Sequence, residues 1–126
     1  MMQSTKTIQV RYNECDPMGI AHHAVYPVWL EIGRTELLRE QGELYKKLEA
    51  NGYFFVVTDL HVQYIRPAKY DDTITIVTSL QKSTAVRLIH NYEIFRDELC
   101  ITKATTTLAC INSQGEAQRL PDEIFI

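Results

Sequence analysis

Residues 14–26, ECDPMGIAHHAVY, place two carboxylates, a thiol and two imidazoles within thirteen positions. Glu14 and Asp16 are two residues apart, so they share one face if the chain is extended there. Two close carboxylates can act as an acid/base pair. The alternative is that Glu14 ends a strand in solvent and Asp16 begins a turn, because Asp-Pro favours turn initiation. The spacing leaves both interpretations open.

A metal site is a second chemical possibility, with Cys15, Asp16, His22 and His23 as ligands. Adjacent histidines do not easily face one ion on regular backbone, and no HxxxH or HxH spacing preorganises a pair. We therefore expect no metal at this stretch.

His23 stands just before a segment that has the pattern of a helix. The first N–H groups of a helix lack partners inside the helix and carry partial positive charge, so they can stabilise an oxyanion. Ordinary capping, which every helix needs, would produce the same pattern. The position alone does not choose between the two roles.

The elements that must position these residues follow from periodicity and turn signals. We predict a strand over residues 5–12, a helix over 24–42 with Pro27 in its first turn, and a short second helix or a turn over 43–51. Apolar side chains point to most sides of the long helix, which predicts that it is buried. Alternation predicts a half-buried strand over 53–66, with Leu60, Val62 and Tyr64 on one face. The same signal predicts three further strands, over 73–80, 86–94 and 99–112. The result is an α+β domain with an antiparallel meander.

Composition limits the class of protein. The 126 residues suffice for one domain, residues 1–126, and the net charge of −3 without a basic cluster argues against a nucleic-acid partner. The apolar runs are too short to cross a membrane. The three cysteines lack CxxC spacing and no targeting segment is visible, so we expect reduced thiols in a cytoplasmic protein. No GxSxG elbow or glycine-rich phosphate loop is present.

Two motifs together resemble a known family. The segment YNECDPMGIAHHAVYPVWLEIGRTELLR is similar to the opening of the 4-hydroxybenzoyl-CoA thioesterase family of hotdog-fold enzymes, and YIRPAKYDDTITI is similar to a second motif of that family. By this resemblance Asp16 matches the catalytic aspartate, Gly19 the loop glycine, His23 the residue at the helix start and Tyr26 the tyrosine of the first turn. His22 stands where the family often has Tyr, and Val25 where it often has Asn.

The resemblance implies a hotdog fold, in which a five-stranded antiparallel sheet wraps one long central helix. It also implies a homodimer with active sites at the subunit interface, and pairing of dimers into a tetramer. The implied activity is hydrolysis of a small aliphatic or aromatic acyl-CoA, with Asp16 as nucleophile or general base and the backbone N–H of His23 as oxyanion hole. No metal or cofactor is implied.

Candidate substrate contacts complete the expectation. Residues expected to bind the acyl group or CoA are Gly19, His22, Tyr26, Val28, Trp29, Val57, Arg66, Lys69, Lys82 and Arg87. The alternative function is a hotdog module that binds acyl-CoA or acyl carrier protein without hydrolysing it. A hydratase of the same fold would need an Asp/His arrangement that we do not find.

Overall fold

The computed structural model describes residues 2–121, in which one long helix packs against a five-stranded antiparallel sheet. In chain order the elements are β1 (Gln3–Gln9), α1 (Tyr26–Glu40), α2 (Tyr45–Ala50), β2 (Phe54–Tyr64), β3 (Thr73–Ser83), β4 (Arg87–Arg96) and β5 (Leu99–Ile111). Single 3-10 turns at Tyr12–Glu14 and His23–Val25 flank the loop that leads into α1. The predicted strand count, long helix and antiparallel sheet are confirmed, but only β3, β4 and β5 form a meander, because β2 pairs with β5.

The sheet has the order β1-β3-β4-β5-β2, so β1 and β2 are its edges. The first strand lies two to three residues earlier than predicted. Its pairing with β3 ends at Gln9, and Val10 is buried with its N–H donating to the carbonyl of Asp72 at 2.9 Å. The chain then turns at Tyr12–Glu14, where an extended strand was expected.

Helix α1 buries one stripe of side chains. Its buried residues recur three or four positions apart and are Tyr26, Trp29, Leu30, Gly33, Arg34, Leu37 and Leu38. Val28 is half exposed, so the prediction of a helix buried around its girth is wrong. The stripe packs mainly on β1 and β3, and the close approach to β3 needs Gly33, because a Cβ there would overlap Thr78 Oγ1.

Strand β2 is more exposed than its alternation predicts. Leu60 and Tyr64 are 43% and 50% exposed, and Val62 is the one residue of the predicted inward face that is partly buried against the core. The reason is its place at the sheet edge, away from the strands that α1 covers. The prediction of a half-buried strand is therefore wrong for the single chain.

The core has two parts, one under each half of α1. The first surrounds Trp29 and Leu30 and includes Ile74, Tyr92 and Ile94, and the second surrounds Leu37 and Leu38. The first part supports the loop that contains residues 14–26.

Candidate active site

Asp16 begins a tight turn. Its carbonyl accepts the N–H of Gly19 at 2.9 Å, and its Oδ1 accepts the N–H of Met18 at 2.8 Å. Gly19 has φ +79°, a conformation that glycine adopts without strain. The interpretation of Asp16 as a turn residue is confirmed, and this turn presents a half-buried carboxylate.

The two motifs of the sequence lie against each other. The N–H of Ala21 donates to the carbonyl of Ala68 at 2.8 Å, and the N–H of Tyr70 donates to the carbonyl of Gly19 at 3.1 Å. Ile20 and Lys69 form an isolated antiparallel bridge between these contacts. The loop after β2 therefore forms one wall of the site that contains Asp16.

Glu14 is buried, at 6% exposure, so its assignment as a solvated strand end is wrong. Its Oε1 accepts the N–H of Arg11 at 2.7 Å, and its Oε2 accepts Trp29 Nε1 at 3.0 Å and Arg11 Nη2 at 3.3 Å. Burial alone would raise the pKa of this carboxyl. The hydrogen bonds from Arg11 and Trp29 and the charge of Arg11 outweigh burial and hold the pKa below its ordinary value.

His23 opens the 3-10 turn that runs into α1. The N–H of Ala24 donates to His22 Nδ1 at 3.0 Å, and the N–H of Val25 donates to the carbonyl of His22 at 3.0 Å. Within residues 2–121, the N–H of His23 has no hydrogen-bond acceptor. The hydroxyl of Tyr64 donates to the carbonyl of His23 at 2.8 Å, which ties the turn to the end of β2.

A cleft of about 440 Å³ joins these parts. Four of the predicted site residues line it: Asp16, His23, Tyr26 and Arg66. Sequence reasoning missed the remaining lining residues, which are Ile20, Ala21, Tyr64, Ile65 and Pro67. The signal that could have found most of them is YIRPAKYDD, since the family resemblance already paired that motif with the first.

Two tyrosines form one wall of the cleft. The rings of Tyr26 and Tyr64 meet edge to face, with centroids 4.9 Å apart. Burial raises the pKa of the Tyr26 hydroxyl, so this group stays neutral near neutral pH. The cleft thus combines an aromatic wall, one carboxylate and the guanidinium of Arg66.

Several predicted contacts lie elsewhere. Trp29 is fully buried beneath the loop, and its indole N–H donates a hydrogen bond to Glu14. Trp29 is therefore not among the residues that line the cleft. Gly19 and His22 serve the turn and the helix start through the hydrogen bonds described above and are not among the lining residues.

Strand geometry separates Val57 and Lys82 from the cleft of the same chain. The cleft contains Tyr64 at the end of β2, and Val57 lies seven residues earlier on that strand, about 23 Å away at roughly 3.3 Å per residue. Lys82 lies near the end of β3, whose start follows the loop that walls the cleft. Lys69, Arg87 and Val28 also lie outside the lining.

Cys15, Asp16, His22 and His23 do not gather as a ligand set. Across residues 2–121, no three His, Cys, Asp or Glu side chains come together in a way that could hold a metal ion. In the same part of the chain, no helix has the length and apolar character needed to cross a membrane.

Known proteins resemble this chain over most of its length. Residues 10–125 match the model of the thioesterase-like superfamily. The YneP protein of Bacillus subtilis (strain 168) is 37% identical over 117 residues, covering 91% of this chain and 84% of that protein. The acyl-CoA thioesterase YbgC of Haemophilus influenzae is 30% identical over 106 residues, covering 83% of this chain and 78% of that protein.

Solved structures share the same architecture. The DHNA-CoA thioesterase of Staphylococcus aureus superposes with a TM-score of 0.91 at 32% identity, covering 95% of this chain and 82% of that one. The 4-hydroxybenzoyl-CoA thioesterase of Pseudomonas sp. strain CBS-3 superposes with a TM-score of 0.88 over 98% of this chain and 97% of that one, and its 18% identity supports the fold alone. The chain belongs to the thioesterase-like superfamily of hotdog-fold enzymes.

Proposed function

We propose that this protein hydrolyses the thioester of a small aliphatic or aromatic acyl-CoA. One observation supports this most directly: Asp16, with its carboxylate, and His23, whose N–H has no acceptor within residues 2–121, line the same cleft. A thioester hydrolase needs a nucleophile or base on one side of the carbonyl and a hydrogen-bond donor for the oxygen. Relatives named as acyl-CoA thioesterases or acyl-CoA thioester hydrolases support the same substrate class.

Two routes fit these groups. In both, the N–H of His23 donates to the thioester oxygen and stabilises the negative charge that develops there. In the first route, Asp16 attacks the acyl carbon, the C–S bond breaks and CoA leaves as a thiolate, after which water hydrolyses the resulting anhydride. In the second, Asp16 takes a proton from water, and the hydroxide adds to the same carbon before the C–S bond breaks.

The lining suggests how the substrate lies. The side chains of Tyr26, Tyr64 and Ile65 offer an apolar wall for the acyl group, and the volume of about 440 Å³ suits a small one. Arg66 is exposed and offers a cation for the CoA phosphates. Neither route requires a metal or a bound cofactor.

We also propose that the protein is a homodimer formed through β2, with a tetramer as a further expectation. The strand is a sheet edge, and it and the residue that follows it expose five large apolar side chains: Val56, Val57, Leu60, Tyr64 and Ile65. Such an edge usually pairs or is covered. Because Tyr64 and Ile65 also line the cleft, a partner seated on β2 would help to close the site.

The oligomeric state is tested by light scattering coupled to size exclusion. A dimer is expected for the natural chain, and Leu60→Lys should shift it toward a monomer because the lysine would place a charge within the paired edge. His61→Lys is the neighbouring control, since His61 points to the opposite face of the strand. A natural chain that stays monomeric at high concentration would contradict the proposal.

Hydrolysis is tested by measuring free thiol released from short aliphatic, long aliphatic and aromatic acyl-CoAs. We expect Asp16→Asn to lower kcat by about a hundredfold or more, the size of effect that follows loss of a nucleophile or general base. Asp97→Asn is the matched control, because Asp97 lies in the β4–β5 turn with φ +57°, a conformation that asparagine tolerates. Near-normal turnover by a folded Asp16→Asn variant would refute the assignment.

The rival function is a module that binds acyl-CoA or acyl carrier protein without hydrolysis. The half-buried carboxylate of Asp16 favours hydrolysis, because a pure binder has no need of an acid beside the thioester. No thiol release across the panel, together with measurable binding of the same acyl-CoAs, would favour the module.

A further inference from the structure

We propose that Glu14 is a positioning residue of this site, whose carboxylate anchors the loop bearing Asp16 and His23 to the central helix. This inference rests on the proposed function, because it assigns Glu14 a part in presenting the two proposed reacting groups. Glu14 itself is not among the residues that line the cleft.

The anchor is the side chain of Trp29. Trp29 is fully buried in the first core cluster, and its ring packs against that of Tyr26 at 4.7 Å between centroids. Its indole N–H donates to Glu14 Oε2 at 3.0 Å. A buried indole N–H without an acceptor is costly, so this bond fixes where Glu14 lies relative to α1.

The backbone of Glu14 closes the loop. Its carbonyl accepts the N–H of His22 at 2.8 Å, and Cys15 and Ala21 form an isolated antiparallel bridge beside this bond. The two ends of the loop formed by residues 14–22 are therefore held side by side. Asp16 follows Glu14 by two residues and His23 follows His22 by one, so a shift of Glu14 moves both groups.

The carboxylate has a hydrogen-bond pattern that an amide cannot reproduce. Both oxygens accept, Oε1 from the N–H of Arg11 and Oε2 from Trp29 and the Arg11 side chain. Glutamine would keep one acceptor and turn an NH₂ group toward a donor. Glu14→Gln thus preserves the size of the side chain but removes the hydrogen bonds that one of the two oxygens accepts.

The ion pair between Arg11 and Glu14 is only partly buried, with the Arg11 side chain 67% exposed, and pairs open to solvent on one side contribute little net stability. Misplacement of reacting groups by about 1 Å, in contrast, can cost roughly a hundredfold in rate. We therefore expect Glu14→Gln to lower kcat by about tenfold to a hundredfold, with KM changed by less than about threefold because Glu14 does not touch the cleft.

The experiment compares the natural full-length chain with Glu14→Gln, Trp29→Phe and the double variant, using acyl-CoA thiol release at a temperature where circular dichroism shows each to be folded. Trp29→Phe keeps an aromatic ring but removes the donor to Glu14. If both residues act through one bond, the loss of kcat in the double variant falls well short of the product of the single losses. Glu36→Gln is the control, because it removes from α1 a carboxylate that pairs with Arg39 at 3.7 Å and has no part in the loop.

Amide hydrogen exchange provides a readout independent of turnover. We expect Glu14→Gln to speed exchange at residues 15–23 and to leave the amides of β4 and β5 unchanged. A folded Glu14→Gln variant with kcat within twofold of an active natural chain would overturn the inference, as would multiplicative losses in the double variant. If Glu14→Gln does not fold, Trp29→Phe tests the inference in its place. A loss of kcat together with faster exchange at residues 15–23 would support it, and a kcat within twofold of the natural chain would overturn it.

A natural chain that releases no thiol from any acyl-CoA would refute the proposed function. In that case unchanged exchange at residues 15–23 in Glu14→Gln would refute the anchoring as well, while faster exchange confined to that loop would support it. The two failures are therefore distinguishable.

Discussion

His90 should make the stability of the protein fall between pH 6.5 and pH 4. This residue of β4 is 3% exposed, and burial together with the charge of nearby Arg34 lowers the pKa of its imidazole from 6.5 to about 4. Between these values the unfolded chain binds a proton at His90 and the folded chain does not. Stability is thus fully present above pH 6.5 and is lost as pH falls toward 4, by about 3 kcal/mol in all.

The surroundings of His90 show why protonation is opposed. Arg34 of α1 and Tyr45 of α2 line the same small cavity, and Tyr92 lies on the same strand with its ring 6.1 Å away. Burial raises the pKa of Tyr45 and Tyr92, so both stay neutral and neither offers a negative charge. Among the residues that line this cavity, an imidazolium would face the cation of Arg34 and otherwise neutral groups.

The assay is urea unfolding from pH 7.5 to pH 4.0 for the natural chain, His90→Leu, His90→Gln and the exposed control His61→Gln. The natural chain and His61→Gln should lose about 3 kcal/mol more than the two His90 variants over this range. Equal losses in all four proteins would refute the reasoning, as would a stability that rises as pH falls.

Three further outcomes are expected. Hydrogen bonds hold the pKa of Glu14 below its ordinary value of 4.5, so the ionised carboxylate stabilises the folded protein above that value. This contribution to the stability of the fold is lost as pH falls through the lowered pKa. The difference in melting temperature between the natural chain and Glu14→Gln should therefore shrink below pH 4.5. Gly33→Ala should cost about 1–3 kcal/mol in urea unfolding because its Cβ would overlap Thr78 Oγ1, and adding Thr78→Ala should recover part of that loss. His22→Ala should cost about 1 kcal/mol in the same assay, because it removes the side-chain acceptor of the Ala24 N–H. His22→Asp should retain most of the stability, because aspartate can accept the same bond. Equal losses in the two variants would contradict the role of His22 as a helix cap.

Local signals predicted the order of elements well. Gly42 follows the end of α1, and turns separate β2, β3 and β4 as predicted, although β3 runs to Ser83, three residues beyond its predicted end at Leu80. The strand ends were less predictable, because β1 stops where Val10 bonds to Asp72, a contact between segments sixty residues apart. Such pairings have no signature within a window of ten residues.

Of the candidate site, only the residues proposed to react with the substrate could be predicted from the sequence. Asp16 and His23 stand in a motif whose spacing matches a family, so they could be named from the sequence. Glu14 could not be placed, because its burial depends on Trp29 fifteen residues later and on where the helix lies. A carboxylate next to charged and polar neighbours has the sequence pattern of a surface residue unless the buried donor is known.

Strand β2 shows a different limit of sequence reasoning. Leu60, Val62 and Tyr64 alternate as a half-buried strand should, yet within one chain Leu60 and Tyr64 stay exposed and only Val62 is partly buried. A period-2 apolar face indicates burial in whatever assembly the protein forms, not burial by its own helix. The mismatch between pattern and exposure is therefore itself an argument for the proposed pairing of β2 edges. If that pairing forms, exchange of the β2 amides should slow as protein concentration rises, while exchange in β4 should not change.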